Sequence, residues 1–391
     1  MGVSIHFRNL TRATKKRFDI KVDILDIETL KIYDYDGNKV EILTDLIYEN
    51  RKNLIVVFLR LMSRIKKIKF ICSSFILKFI NKQYFKKYES INFHVSAKPY
   101  FIFMPRLSKE VKRVIIIIWG SDFFRESDFG LKLKKWSYDS VDQLVLGTPQ
   151  SLNAFISRFP DLKDKSIALN FGNSNFPLIK KLKESPFDHQ NKSLKKLVEK
   201  KGDKIMIGIG YNNIVEQNQE KVIERIAQNL DESKHILYFC MSYPNDSGKS
   251  KRIESLRKKV ESCTDVDFII EDKYLSDQEI AEIRSLTDIY INAQKTDMFS
   301  ASIQEYFFGG SIVLNGDWLP YEIYDEHQLV DVKFNWDNLF DQFQYCLSNY
   351  NSLKKECGIN ERKISQISSW ENIIDDWGKS MNLITTKLIT G

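Results

Sequence analysis

The sequence predicts an α/β protein of two domains, each built on a doubly wound parallel sheet with helices on both faces. Three observations lead to this prediction. First, the chain has 391 residues, and a single hydrophobic core stops growing efficiently beyond about 250 to 300 residues. Second, hydrophobic residues make up 43% and aromatic residues 13% of the chain, which is ample for two packed interiors. Third, strand patterns alternate with helix patterns along most of the chain, as in βαβ units.

The second half of the chain shows the clearer alternation. Short apolar runs, typical of buried strands, are followed by stretches in which apolar residues recur at helical spacing. The predicted strands are residues 204–209, 235–241, 265–270, 288–293 and 311–314, and the predicted helices are residues 219–230, 250–261, 275–286 and 302–308. We therefore expect a parallel sheet in this half.

The first half of the chain has fewer clear elements. Its predicted strands are residues 100–104, 114–119, 141–145 and 166–170, and its predicted helices are residues 131–138 and 149–159. A second doubly wound sheet accounts for this pattern.

A polar and basic stretch that contains Pro186 separates the two halves, and such composition is typical of a linker. We therefore predict an N-terminal domain over residues 1–180, a linker over 181–203 and a C-terminal domain over 204–363. The remaining residues, 364–391, predict a helix that packs back on the first domain.

The formal net charge of +7 is unevenly distributed. Residues 51–90 contain many Lys and Arg residues among apolar ones and a single acid, Glu89. Basic residues such as Arg60 and Arg64 interrupt every apolar window of the length that a spanning helix needs, about 20 residues. Two interpretations stay open. The segment lies on an anionic membrane surface, where each Lys or Arg contributes about 1 kcal/mol, or it forms amphipathic helices with a solvated basic face.

The remaining composition points to a cytoplasmic protein without metal or cofactor. The five cysteines are scattered and lack the spacing of a metal site, and the first residues lack the pattern of a signal peptide. No histidines are paired at i, i+4, and no DxD pair sits in a strand-end loop, so we expect no metal and no other cofactor. His94 is interpreted as a structural histidine. The basic segment lacks a recognised nucleic-acid motif, so we expect no nucleic-acid partner.

The segment 297–310, DMFSASIQEYFFGG, is the strongest functional signal, and it lies between two predicted strands. Its two acids, Asp297 and Glu305, are separated by a loop and a helix start. Glu305 can accept hydrogen bonds from ribose hydroxyls, and Asp297 can hold a sugar hydroxyl. The amides near Ser300 and Ser302 are expected to offer unpaired N–H groups and the positive end of a helix dipole to a diphosphate. This layout resembles the E-x7-E element of GT-B glycosyltransferases. The alternative is a solvated Glu305 on a surface helix.

A glycine turn follows the first predicted strand of the second domain. Gly208 and Gly210, followed by Tyr211, lack a Cβ atom, so the backbone there can approach a phosphate or sugar closely. The third glycine of a dinucleotide-binding fingerprint and the acid at the end of the next strand are absent, which argues against NAD. A tight strand-to-helix turn is the alternative interpretation.

A polar cluster, WGSDFFR, follows the very apolar strand at 114–119. Polar side chains at the mouth of a buried strand are where α/β proteins place acceptor or catalytic groups. Asp122 is the candidate general base, with a helix cap as the alternative. Arg125 can offset the charge of a leaving group or acceptor, or pair on the surface. Trp119 and Ser121 complete the candidate acceptor side.

The order of several short motifs resembles one family, the bacterial TDP-N-acetylfucosamine:lipid II N-acetylfucosaminyltransferases of enterobacterial common antigen synthesis. The motifs are WGSD, LVLGTP, FGNSN, IGIGYNN, MSYPN and NAQKTDMFSASIQEYFFGGSIVLN, and they span about residues 100–324. The resemblance implies a GT-B fold, with two Rossmann-like doubly wound domains facing a central cleft. It also implies a polyprenyl-diphosphate-linked saccharide as acceptor at the inner face of the cytoplasmic membrane. WGSD and FGNSN, with Asn173, would belong to the acceptor domain and the other motifs to the donor domain.

The resemblance also assigns individual residues of the donor domain. It implies that Gly208 lies in the first donor-domain turn, that Tyr243 and Pro244 form the YP pair of the family, and that Lys295 contacts the diphosphate. Two departures are evident. The loop after Lys295 has fewer glycines than that family, and the Arg/Lys pair that many E-x7-E enzymes carry after the glycine turn is absent. The donor, a TDP-, UDP- or GDP-sugar, and the stereochemical outcome therefore stay open.

These observations predict a metal-independent glycosyltransferase that is peripheral on the inner face of the cytoplasmic membrane. It would move a sugar, expected to be a deoxyamino sugar, from a nucleotide diphosphate to a lipid-linked saccharide in the synthesis of O-antigen, capsule or common antigen. Two alternatives stay open: a nucleotide-sugar epimerase on the same fold, and a non-catalytic basic module that binds membrane or nucleic acid through residues 51–90.

Overall fold

The structure of the chain is a computed structural model. It describes residues 5–20, 24–26, 31–33, 39–42, 88–94, 109, 111–124, 126–184, 192–297 and 299–383. The predicted strand over 100–104 and residues 51–87 of the basic segment lie outside these ranges. The chain divides into two compact units, Met1–Gly172 with Trp370–Gly391, and Asn173–Ser369.

The described part of the first unit contains two sheets. An antiparallel sheet has the order β1 (Ile24–Asp26), β2 (Lys31–Tyr33) and β3 (Lys39–Ile42). A parallel sheet has the order β4 (Ser90–His94), β5 (Arg113–Ile118), β6 (Gln143–Leu146) and β7 (Ser166–Ala168). The described helices before residue 173 are α1 (Ile5–Phe18), α2 (Gly120–Phe124), α3 (Asp128–Ser140) and α4 (Pro149–Arg158).

The elements around the parallel sheet of the first unit form where local sequence favours them. β5 consists largely of valine and isoleucine, β-branched residues that suit a strand buried on both faces. Helix α3 begins after Ser127, whose side chain accepts a hydrogen bond from the Gly130 amide. Helix α4 begins after Thr148, which forms a capping box with Ser151. The strands predicted at 114–119, 141–145 and 166–170 are therefore confirmed.

The second unit is built on a six-stranded parallel sheet. The strands are β8 (Ile205–Ile209), β9 (His235–Cys240), β10 (Phe268–Glu271), β11 (Ile289–Asn292), β12 (Ile312–Gly316) and β13 (Val332–Phe334). Their order is β10-β9-β8-β11-β12-β13, which is the order 3-2-1-4-5-6 of a Rossmann sheet. The described helices are α5 (Phe176–Glu184), α6 (Lys192–Lys201), α7 (Gln219–Ile226), α8 (Lys249–Cys263), α9 (Asp277–Leu286), α10 (Ala301–Gly309), α11 (Glu322–Glu326), α12 (Leu339–Ser348), α13 (Tyr350–Cys357) and α14 (Asn360–Ser368).

Helices cover both faces of this sheet, because alternate strand residues enter different apolar clusters. Ile207 and Ile291 pack on one face with residues of α7, α8 and α12. Tyr290 packs on the other face with α10, and Met206 packs there with α6 and α9. The second unit is therefore doubly wound, as predicted.

The predicted linker and the predicted boundary between the domains both differ from the structure. Residues Lys192–Lys201 of the predicted linker form α6, because Leu197 lies on an apolar face of that helix and is buried against Met206. The chain passes between the units at Gly172 and Asn173, before the predicted linker, so α5 belongs to the second unit.

The predicted helix over 364–391 is interrupted at Ser369. Its first part is the end of α14, which belongs to the second unit, and its second part is α15 (Trp370–Ser380), which belongs to the first. Trp377 of α15 is fully buried there and donates through Nε1 to the carbonyl of Asn170. Each half of the apolar pattern therefore covers a different core.

No helix among the described residues is long and apolar enough to cross a membrane.

Candidate functional site

The strand order of the second unit defines where a ligand is expected. From β8 the chain proceeds to β9 and β10 on one side, then crosses to β11, β12 and β13 on the other. In open α/β sheets, ligands bind outside the carboxyl ends of the strands where this direction reverses. Here that position lies after β8 and β11. The loop after β11 contains Asp297, and helix α10 follows it.

Asp297 is held by groups from two different elements. The hydroxyl of Tyr321 donates a hydrogen bond to Asp297 Oδ2, and the Ser300 amide donates to the same oxygen at 3.0 Å. Burial and the charge of Asp297 keep the pKa of the Tyr321 phenol well above its ordinary value, so the phenol keeps its proton and donates it. The carboxylate is thus oriented beside the start of α10.

Helix α10 begins close to where the sequence predicts it, but its first amides are engaged. Ser300 is the N-cap, and its side chain accepts from the Ser302 amide at 3.3 Å. The Ser300 amide itself donates to Asp297. The expectation that the amides of Ser300 and Ser302 are unpaired is therefore wrong, because Asp and Ser are strong capping residues and satisfy these donors locally.

Glu305 is buried on α10, with 6% of its surface exposed. Its Oε2 accepts from Nε of Arg284 at 3.2 Å, and its Oε1 accepts from Nδ2 of Asn175 at 2.8 Å. Burial raises the pKa of the Glu305 carboxyl, whereas Arg284 and Asn175 lower it. The alternative of a solvated Glu305 on a surface helix is therefore wrong.

Asn173 lies beside the donor motif of the second unit, not on the acceptor domain as the resemblance implies. It is buried, its Nδ2 donates to the carbonyl of Ala301 at 3.0 Å, and its Oδ1 accepts from the Asn175 amide. The expectation failed because the chain leaves the first unit at Gly172, so the polar end of FGNSN folds with α10.

The two glycines of the predicted turn have different surroundings. Gly210 has a φ of +67°, and a Cβ there would lie 2.9 Å from side-chain atoms of Gln217 and Gln219. Glycine is therefore needed for this turn. Gly208 instead lies inside β8, where a Cβ would lie 3.2 Å from Cγ2 of Thr287, with Tyr290 at 3.4 Å and the Tyr306 hydroxyl at 3.5 Å. The tight contact would be with Thr287, and a ligand contact at Gly208 stays a prediction.

Tyr211 belongs to a polar cluster at the same edge of the sheet. Its hydroxyl donates to Oε1 of Gln294 at 3.0 Å, and Nε2 of Gln217 donates to that oxygen at 3.1 Å. Burial and the charge of Asp297 raise the pKa of the Tyr211 phenol, so it keeps its proton. The cluster joins the glycine turn after β8 to the loop after β11.

Tyr243 and Lys295 are the more exposed predicted residues of this edge. Tyr243 follows β9 and is 64% exposed, while its carbonyl accepts from the Asn213 amide at 2.6 Å. Lys295 follows β11 with an exposed side chain, and its amide donates to the carbonyl of Glu216. Both side chains are therefore accessible to a ligand at this edge.

The structure describes only part of the predicted acceptor side in the first unit. Trp119 follows β5 and stacks on Phe171 with ring centroids 4.7 Å apart. Ser121 and Asp122 lie within α2, and their side chains are outside the described set, as is all of Arg125. Ser127, not Asp122, caps the next helix. His94 ends β4, with its side chain likewise outside that set.

Within the described ranges, no group of three or more His, Cys, Asp or Glu residues is arranged to hold a metal ion.

Sequence reasoning missed the side chains that hold the two acids. Arg284, Asn175 and Tyr321 come from three separate parts of the second unit. Arg284 carried one weak signal, since it is a charged residue on the apolar side of a predicted helix. Neither Asn175 nor Tyr321 stands at a spacing that predicts these contacts.

The comparisons with known proteins concern the fold. No protein-family model matches the chain. No curated protein matches it either. A sucrose-phosphate synthase from Thermosynechococcus elongatus aligns over 80% of this chain and 78% of its own, with a TM-score of 0.61 and 14% identity.

Two further solved structures are similar at the same level. An α,α-trehalose-phosphate synthase (UDP-forming) from Burkholderia vietnamiensis covers 80% of this chain and 76% of its own, with a TM-score of 0.63 and 10% identity. HepE from Anabaena, solved in complex with UDP-glucose, covers 78% of this chain and 81% of its own, with a TM-score of 0.58 and 12% identity. These proteins are GT-B glycosyltransferases. The chain therefore has the α/β fold of the GT-B glycosyltransferases, with a parallel sheet in each of its two units.

Proposed function

We propose that the chain is a glycosyltransferase that binds a nucleotide-sugar at the carboxyl edge of the sheet in its second unit. The observation that carries the proposal is the placement of Asp297 and Glu305, two oriented carboxylates on one loop and helix beside the reversal of strand order. Carboxylates suit the hydroxyl-rich parts of such a ligand, because they are strong acceptors. Similar folds that bind UDP or UDP-glucose, as in HepE, support this choice of ligand.

Each residue of this edge has a proposed role. Asp297 accepts from a hydroxyl of the donor sugar, and Glu305 accepts from the ribose. Lys295 neutralises charge on the diphosphate. Gly210 and Tyr211 line the part of the site that holds the sugar, and Tyr243 offers an exposed ring to the nucleobase.

The transfer step needs a base and a stabilised leaving group. We propose Asp122 as the base that takes the proton of the acceptor hydroxyl while that oxygen bonds to the anomeric carbon and the nucleoside diphosphate leaves. Fixed positive groups, not a metal or cofactor, would stabilise the leaving diphosphate. Chelation with EDTA should leave turnover unchanged, and a loss that Mg²⁺ or Mn²⁺ restores would contradict the metal independence.

The acceptor proposed here is a polyprenyl-diphosphate-linked saccharide of surface polysaccharide synthesis at the inner face of the cytoplasmic membrane. The motif resemblance and the basic residues 51–90 support it. Trp119, Ser121 and Arg125 are the proposed acceptor-side residues. Incubation of the enzyme with a labelled nucleotide-sugar and lipid-linked saccharides tests the acceptor. Conversion of the donor to its epimer without any acceptor would favour an epimerase instead.

Nucleotide binding is the first test. A thermal-shift panel of UDP, GDP, TDP and their sugars should show stabilisation of about 2.7 kcal/mol for a true ligand at 100 times its Kd. Lys295→Gln should weaken the binding of that ligand. Lys251 is an exposed lysine of α8, and Lys251→Gln should leave the binding unchanged. If no nucleotide stabilises the wild-type chain, the proposed function is wrong.

A further inference from the structure

Arg284 is a buried cation that contacts the second acid of the donor motif. It comes from α9, is 4% exposed, and its Nε lies 3.2 Å from Glu305 Oε2. The two side chains are 5% and 7% exposed. Charges in such a place are tolerated only as a pair, because desolvation of an isolated charge is costly. The pair therefore requires both groups to be ionised.

The Arg284 guanidinium is itself fixed in position. Nη1 donates to the Tyr306 hydroxyl at 2.5 Å, and the guanidinium carbon lies 4.2 Å from the centroid of the Tyr306 ring. Tyr306 stacks on Tyr290 with ring centroids 3.6 Å apart. The planar guanidinium group can donate hydrogen bonds to Glu305 and Tyr306 at the same time, whereas the ammonium group of a lysine lacks this geometry.

The other neighbours of Glu305 are neutral. Asn175 donates to Oε1 from the segment before α5, Asn173 is close to the carboxylate, and Tyr306 follows on α10. Arg284 is the only charged residue in the described part of the chain that pairs with Glu305. Since burial raises the pKa of this carboxyl, Arg284 is the group that opposes protonation.

We propose that Arg284 is a positioning residue that holds the Glu305 carboxylate ionised and oriented to accept a hydrogen bond from the 2′-hydroxyl of a nucleotide ribose. This inference rests on the proposed function. A carboxylate offers about four lone-pair sites, more than Arg284, Asn175 and the nearby Asn173 occupy. The expected ligand class is accordingly a ribonucleoside diphosphate sugar, with a UDP or GDP moiety favoured over the deoxyribose of TDP.

The test compares ribonucleotides with their 2′-deoxy forms. Calorimetric titration measures the Kd of UDP, GDP, 2′-deoxy-UDP and 2′-deoxy-GDP at several pH values between 6 and 9. The proteins are the wild type, Arg284→Gln, Arg284→Lys, Glu305→Gln and the control Arg225→Gln, an exposed arginine of α7. The preference is the ratio of the Kd of the 2′-deoxynucleotide to the Kd of the ribonucleotide at the same pH. Titration of the phosphates affects both Kd values equally, so it cancels in this ratio.

The wild type and Arg225→Gln should bind the ribonucleotide about tenfold more tightly than the deoxy form, as loss of a hydrogen bond to a charged group predicts. Arg284→Gln should show a smaller preference that recovers as the pH rises, because loss of the counter-charge favours the protonated Glu305 carboxyl. Glu305→Gln should lose it at every pH. Arg284→Lys should show a reduced preference that does not change with pH, because the positive charge is kept.

The outcomes separate this inference from the proposed function. If the wild type binds no nucleoside diphosphate, the proposed function itself fails. If it binds ribonucleotide and deoxynucleotide equally, the role given to Arg284 and Glu305 is overturned and nucleotide binding stands. A folded Arg284→Gln with the wild-type preference at every pH also overturns it. Should Arg284→Gln not fold, an undiminished preference in Arg284→Lys overturns it.

Discussion

The substitution Glu305→Gln tests whether the motif carboxylate is part of a buried ion pair. Glu305 and Arg284 are 3.2 Å apart and each is less than a tenth exposed. Glutamine keeps the volume of glutamate, but its NH₂ group must face a donor, either Arg284 Nε or Asn175 Nδ2. The substitution therefore leaves a buried cation without its counter-charge and one donor without an acceptor.

The expected loss of stability follows from that geometry. Removing one partner of a buried pair costs about 3 to 5 kcal/mol, and glutamine retains one acceptor oxygen, so we expect about 3 kcal/mol. For a unit of this size, each kcal/mol lowers Tm by about 2 to 4 °C, which gives a decrease of about 6 to 12 °C. The matched control is Glu254→Gln, whose exposed pair with Lys258 should contribute less than about 1 kcal/mol.

Thermal and urea unfolding, followed by far-UV circular dichroism, measure these changes. A double-mutant cycle with Glu305→Gln and Arg284→Met isolates the interaction energy of the pair. The double variant removes both charges, so it should be more stable than Arg284→Met alone. The two groups are not a buried ion pair if the free energy of unfolding of Glu305→Gln lies within about 1 kcal/mol of the wild-type value. The same conclusion follows if the double variant is no more stable than Arg284→Met.

Three further predictions concern neighbouring features. Gly208→Val should overpack the space beside Thr287, Tyr290 and Tyr306 and destabilise the chain by about 1 to 3 kcal/mol, measured by urea unfolding. Gly147→Ala, where an added Cβ has no neighbour within 4 Å, should change little. Tyr321→Phe removes the hydroxyl that orients Asp297 and accepts from Asn292, so turnover should fall about tenfold and the free energy of unfolding should fall by about 1 to 3 kcal/mol; equal turnover would contradict the role of this hydrogen bond. Burial raises the pKa of the Asp331 carboxyl, so the folded chain holds that proton more tightly than the unfolded chain. Stability contributed by this group should therefore be lost as the pH rises from the ordinary carboxyl value through the raised one. Asp331→Asn should flatten that part of the stability profile, and an unchanged profile would contradict the assignment.

Local sequence determined the type and approximate place of most described elements. The valine and isoleucine run of β5 and the Thr148 cap of α4 are signals contained within a few residues. The acid spacing also placed Asp297 in the loop and Glu305 on the helix, because both positions follow from one strand and one helix start. Patterns of this kind depend on backbone periodicity and capping, which act over less than about 20 residues.

Only the tertiary structure decided which side chains meet. Arg284 reaches Glu305 because α9 and α10 pack on the same face of the sheet, and Tyr321 reaches Asp297 because β12 lies next to β11. Asn173 joined the second unit because the chain crosses between the units just before it. Contacts between residues distant in sequence depend on strand order and helix packing, and residue spacing along the chain does not encode them individually.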